Sequence, residues 1–190
     1  LGSSFISPDT TLSLSLSLSL SLCKNQDSLL NCISMPKLIV GWFTFTCCED
    51  STIIFTELLN THWQEWTKAL DFKYAKILRK SQGVGPMDIA FVEGAISSQS
   101  QIDKLTQIRS LAKTLIAIGS CACIGQPSSQ RNDFDPARLE EIKPILIKFN
   151  YADKVQKLSD LVTVDYSVPG CPMDEVKFIE LMNQLCTPSI

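Results

Sequence analysis

Short unbroken apolar runs along this chain alternate with stretches where apolar residues recur every three or four positions. Residues 37–45, KLIVGWFTF, form the first such run and predict a buried strand. Residues 52–70 place Ile54, Leu58, Leu59, Trp63, Trp66 and Leu70 at helical spacing. A short strand is expected at 73–78, a turn at GVGP (83–86), and a second buried strand at 88–95, DIAFVEGA. A helix comes next over 101–112, with Ile102, Leu105, Ile108 and Leu111 on one face, and a third strand over 114–119, TLIAIG. Residues 136–149 read as a helix that Pro144 should kink or divide. A further strand is expected at 161–168. The closing helix, 174–185, is capped by Asp174, with Glu175 in its first turn. Strands alternating with helices of this length predict an α/β fold: a parallel sheet covered on both faces, in three layers. No internal repeat is present.

Residues 1–34 differ from the rest. TLSLSLSLSLSL (11–22) has the period of a strand but only two letters, and Lys24 is the single basic residue of the stretch. It has neither the basic start and apolar centre of a secretory signal nor the apolar length of a membrane helix. A CTCTCT tract read in triplets encodes this repeat. We therefore read 1–34 as over-translated upstream sequence or a disordered tail, with Met35 as the start. Residues 35–190 are then the folded domain, with no direct membrane span.

Composition narrows the function. Of 190 residues, 45% are hydrophobic and 19% charged, enough apolar sequence for one packed domain. Seventeen Lys and Arg against 20 Asp and Glu leave a net charge of -3, which argues against a general nucleic-acid partner. The one histidine, His62, excludes any site built on two or three imidazoles. Eight cysteines exceed what packing requires, and Cys23 and Cys32 fall in the N-terminal stretch.

The other cysteines concentrate where an α/β sheet carries its active edge. Cys47 and Cys48 follow the first strand, Cys121 follows the third, in IAIGSCACIG, and Cys171 follows the last, in VPGCPMDE. Open α/β sheets bind ligands beyond the carboxyl ends of their strands. Four thiolates meeting there are the ligand set of a [4Fe–4S] cluster or an all-cysteine zinc site. Glycines 119 and 170 would let backbone approach a bulky group, and Pro169 and Pro172 stiffen the last loop. Zinc is less favoured because paired C-x2-4-C knuckles are absent. Disulfides are disfavoured without an export signal. Thiol catalysis would need a base, and His62 sits on the first helix, away from these loops. Cys186 and Cys123 read as packing residues. A non-redox scaffold with buried thiols stays open.

The order CC, GSCA, PGCPM across 37–186 resembles the small, electron-transferring subunit of [NiFe] hydrogenases and the homologous 20 kDa subunit of the respiratory NADH:quinone oxidoreductase. The resemblance implies a flavodoxin-like domain whose [4Fe–4S] cluster is held by Cys47, Cys48, Cys121 and Cys171. Hydrogenase small subunits use C-x-x-C at the first site. Here Phe45 occupies the first cysteine's place and Cys47 substitutes, as in the tandem pair of the respiratory subunit. A shifted alignment would use Cys48 and Ser51. QPSSQRN (126–132) and the gap from Cys121 to Cys171 resemble soluble, cytoplasmic hydrogenase small subunits, and no twin-arginine signal or second cysteine-rich cluster domain is seen. The implied function is electron transfer to or from the [NiFe] site of a large partner subunit during H2 oxidation or evolution, without catalysis by this chain itself. Further electron-transfer or diaphorase subunits would complete such an assembly. The alternative is quinone-linked electron transfer. Trp63 and Trp66 are expected either at the large-subunit contact or in the core. Roles for Glu49, Asp50 and Arg131 stay open.

Overall fold

The computed structural model describes residues 36–80 and 83–187. The expected tail, 1–34, lies outside them. Five strands form one wholly parallel sheet: β1 (Leu38–Thr44), β2 (Leu70–Ala75), β3 (Met87–Glu93), β5 (Ala112–Ile118) and β7 (Tyr166–Val168). Their spatial order is β2-β1-β3-β5-β7. Counted within the sheet this is 2-1-3-4-5, the flavodoxin-like order, which reverses direction between β1 and β3. The expected α/β class and parallel sheet are therefore observed. A second sheet pairs β4 (Ile96–Ser98) with β6 (Tyr151–Gln156) antiparallel.

Period-two alternation along the central strands sends successive side chains to opposite faces. Val40, Trp42, Ile89, Phe91, Ile116 and Ile118 face α1 (Asp50–Ala69) and α5 (Glu175–Cys186). Phe43, Ala90, Val92, Leu115 and Ala117 face α2 (Gln99–Leu111) and the short α3 (Gly119–Ile124). Phe178 of α5 sits centrally in the first of these cores, fully buried, with its ring 5.7–6.1 Å from those of Trp42, Phe55, Trp66 and Phe91.

Several boundaries differ from expectation, each for a physical reason. The second strand begins at Leu70 rather than 73, because Leu70, which fits the apolar spacing of the helix, pairs with Leu38 of β1. The last strand spans 166–168 rather than 161–168. Leu158, Leu161, Val162 and Val164 instead pack as a connection into the second core. α4 (Pro136–Lys148) runs through Pro144 undivided. Pro144 and Glu140 are both exposed, so water reaches the carbonyl that proline leaves without a donor. β6, in YADKVQ, and α3, in GSCACI, carry no buried periodicity that would announce them.

Four seams have no connecting residue: Ala69 to Leu70, Ser98 to Gln99, Leu111 to Ala112 and Ile118 to Gly119 each pass directly between helix and strand.

One carboxylate anchors the start of α1. Glu49, just before the helix, has φ 66°, a left-handed conformation, and its side chain provides no cap. Glu93, at the end of β3 and 3% exposed, supplies one from another element. Its carboxylate accepts the N–H groups of Ser51 and Thr52, both at 3.1 Å, and the Thr52 hydroxyl. Thr52 Oγ1 in turn accepts the indole N–H of Trp42 at 2.9 Å. A buried negative charge at a helix N-terminus is favoured by the helix dipole.

Urea unfolding should show three effects. Phe178→Ala should cost about 3–5 kcal/mol, the range for an emptied aromatic site. Glu93→Ala should cost about 3 kcal/mol by leaving buried donors unpaired, and Glu93→Gln less, since it keeps an acceptor oxygen. Asp165 accepts the Leu115 N–H at 2.7 Å and pairs with Arg109 at 2.6 Å. The Leu115 N–H, opposed by partial burial and helped by Arg109, holds its carboxyl below the usual range. A depressed folded pKa stabilises the fold above the unfolded value of about 3.9 and loses that contribution as pH falls through the folded pKa. The wild-type advantage over Asp165→Asn should therefore be full at pH 7 and shrink progressively below pH 4.

Candidate functional site

Three loops meet at the carboxyl edge of the parallel sheet. β1 leads into Cys47 and Cys48, β5 into α3 with Cys121, and β7 into Cys171. All four cysteines line one cavity, together with Asp50, Ser51, Glu93, Gly119, Gly170 and Pro172. Segments up to 124 residues apart in sequence thus deliver thiols to one place. Cys121 is 6% exposed and packs with Ala95, Val155 and Cys47, whereas Cys48 and Cys171 are exposed. The cavity has a buried inner side and an open outer side.

Hydrogen bonds bind the three loops to one another. Ser120 N–H donates to the Gly170 carbonyl at 2.7 Å, joining the β5 and β7 loops. Met173 N–H donates to Ser51 Oγ at 3.2 Å, joining the β7 loop to α1. Ser51, the alternative oxygen donor, is 3% exposed, and its oxygen is already engaged as this strut. The glycines before the cysteines are needed for conformation and space. Gly119 has φ 77°, and a Cβ there would lie 2.9 Å from Ser51 Oγ. Gly170 has φ 122°, and a Cβ there would meet the Pro172 carbonyl at 2.5 Å.

Burial, and after it the charge of Glu93, pushes the Cys47 thiol up to about 12. Any metal bound there must displace that proton. Among the described residues no three Cys, His, Asp or Glu side chains converge tightly enough to hold a single metal ion.

Other residues singled out in the sequence have structural surroundings. Cys123 is half-buried, its thiol raised by burial, and its Sγ lies 3.6 Å from the Ala117 carbonyl. Cys186 is half-buried against the first core. His62 stacks on Trp66 with ring centroids 4.8 Å apart. It lies thirteen residues into α1, about 18 Å along the axis from its start. Trp66 is fully buried, so of its two expected places, partner contact or core, it takes the core. Trp63 is 46% exposed and stays available. Arg131 donates to the Ala152 carbonyl at 2.7 Å and lies over the Tyr151 ring, which makes it a brace for β6.

Two residues of the site have no counterpart among the sequence expectations. Glu93 sits inside DIAFVEGA, where an acid ending an apolar strand was the available signal. Ser128 has its hydroxyl 3.1 Å from Cys121 Sγ and 3.0 Å from the Thr46 carbonyl. It lies within QPSSQRN, a segment singled out in the sequence for its resemblance and not for a hydroxyl beside a cysteine.

Comparison with known proteins agrees with this architecture. The NAD-reducing hydrogenase HoxS subunit delta of Cupriavidus necator is 28% identical over 113 residues, covering 51% of this chain and 54% of that one. Sulfhydrogenase 2 subunit delta of Pyrococcus furiosus is 27% identical over 159 residues, 75% of this chain and 60% of that one. Coenzyme F420 hydrogenase subunit gamma of Methanosarcina barkeri is 29% identical over 106 residues, 54% and 36% of the two chains. This chain therefore spans between 36% and 60% of the length of these relatives. In structure, a chain of an NAD+-reducing [NiFe]-hydrogenase in its H2-reduced state superposes with TM-score 0.68 at 22% identity, covering 82% of this chain and 96% of that one. A chain of the Ni-Fe-Se hydrogenase from Desulfomicrobium baculatum gives 0.53 at 14% identity, covering 76% and 60%. Both show a shared fold. The sequence model of the NADH ubiquinone oxidoreductase 20 Kd subunit matches residues 47–185, most of the chain and every element from α1 onward, and the chain belongs to that family.

Proposed function

We propose that residues 35–190 hold one [4Fe–4S] cluster through Cys47, Cys48, Cys121 and Cys171, and that the chain is the electron-transfer subunit of a hydrogenase-like oxidoreductase. One observation carries this reading: four cysteines from three separate loops line one cavity whose inner side is buried and whose outer side is open. The donor set fits the group, since all four candidate ligands are sulfur and no histidine or water is needed to complete it. A bound cluster would store and release one electron.

The protein's own residues do the rest. Cys47 and Cys121 present sulfurs from the buried side, where a cluster would have less contact with water. Cys48 and Cys171 present theirs at the surface, within reach of a partner. Glu93 and Ser51 keep the three loops in register, so the sulfurs are spaced before a cluster arrives. Gly119 and Gly170 take backbone conformations that a side chain would oppose.

The proposed partner is a large subunit with a [NiFe] site, to or from which electrons pass during H2 oxidation or evolution. Three relatives with hydrogenase names support this reading over the alternative. Exposed Trp63 is available to a partner surface. Diaphorase-type subunits would extend the chain of carriers. Among the described residues no helix is long and apolar enough to cross a membrane, and we propose a cytoplasmic location. The second reading, quinone-linked transfer in a respiratory assembly, is favoured by the tandem Cys47–Cys48 pair.

The test is iron and acid-labile sulfide on the anaerobically prepared chain, with EPR after dithionite reduction. About four of each per chain and a reduced-cluster signal are expected. Cys121→Ser and Cys171→Ser should each lower both contents, and unchanged contents in both variants would sink the four-thiolate site. Nickel in the complex recovered from the native host would identify a [NiFe] partner, and a nickel-free complex with quinone reductase activity would favour the second reading.

A further inference from the structure

We infer that Ser128 raises the reduction potential of the cluster proposed above by donating a hydrogen bond to the Cys121 sulfur. The inference rests on that cluster reading. Ser128 belongs to the turn after α3, held by the Ser129 N–H to the Gly125 carbonyl at 2.9 Å and the Gln130 N–H to the Pro127 carbonyl at 3.2 Å. The turn folds back so that the Ser128 hydroxyl lies between Cys121 Sγ, at 3.1 Å, and the Thr46 carbonyl, at 3.0 Å. Among the described residues no other hydroxyl bonds one of the four sulfurs.

A hydroxyl has one proton and can serve one of these acceptors at a time. The Thr46 carbonyl already accepts the Ala95 N–H at 2.9 Å, so the serine can leave it without orphaning a buried acceptor. Cys121 is different in its two states. As a free thiol it carries its own proton and can donate to Ser128 Oγ, which then donates to Thr46. As an iron ligand it is a thiolate, with no proton to give and with charge to be solvated. Charge-assisted bonds are the stronger ones, and at 6% exposure the sulfur has little access to water. A cluster bound through Cys121 would therefore draw the Ser128 proton from Thr46 to the sulfur. A hydrogen bond to a ligand sulfur favours the more negative, reduced state, which raises the potential. The same hydroxyl touches the peptide just before Cys47, so the turn at 125–129 reports on two ligand loops at once.

The full-length chain, reconstituted with iron and sulfide, would be titrated redox-potentiometrically by EPR. Ser128→Ala should bind the same iron and titrate at a more negative potential. Ser128→Thr, which restores the hydroxyl, should return toward wild type. Ser129→Ala, one residue away, should leave the potential unchanged. If the alanine variant does not retain iron, Ser128→Gly takes its place. ENDOR of the reduced cluster should show one exchangeable-proton coupling fewer without the hydroxyl. Iron-loaded variants that titrate at the wild-type potential, or an equal shift in Ser128→Thr, would overturn the role of Ser128 alone. A wild-type chain that takes up no iron would instead overturn the cluster reading.

Discussion

The buried carboxylate of Glu93 fixes the geometry on which the site depends. It ends the central strand of the sheet, and the first free N–H groups of α1 are bound to it. Because Cys47 and Cys48 occupy the link between β1 and α1, their position is determined once both ends of that link are tied. Ser51, the neighbouring residue, carries the tie onward to Met173 and hence to the loop of Cys171. A charge buried this deeply costs desolvation energy, and its three donors offset that cost. The arrangement is therefore a single connected network, from the Trp42 indole through Thr52 to Glu93.

The contrast between buried Cys121 and exposed Cys171 is a product of the sheet, whereas Cys48, exposed after central β1, owes its place to the turn into α1. The central strands β1, β3 and β5 are covered on both faces, so the loops that leave them begin in the interior. β7 is short and lies at the sheet's edge, so its loop emerges at the surface. The asymmetry in exposure between Cys121 and Cys171 is a property of strand order. It would exist in this topology whatever group the thiols held.

Much of this was legible in the sequence. Strands β1, β3 and β5 are buried on both faces, and their continuous apolar runs carry a strong signal. The four cysteines were legible because each comes after a strand, and strand ends are where such folds place ligands. The features that escaped notice have a common physical cause. Leu70 is apolar in both the helical and the extended reading, so only its partner Leu38 decides between them. β6 is exposed along most of its length, and its polar letters carry no periodicity. Glu93 acts through contacts 41–42 residues away in sequence, which no local pattern encodes, and Ser128 reaches Cys121, seven residues back, only because the intervening turn folds over.

The four seams without a connecting residue carry a consequence for how such a chain can diverge. One residue added at Ala69–Leu70 would turn the following segment by about 100° if taken into the helix, or reverse the faces of β2 if taken into the strand. Either change would expose a core surface. Added length is better tolerated where several residues separate two elements, as at 157–165 between β6 and β7.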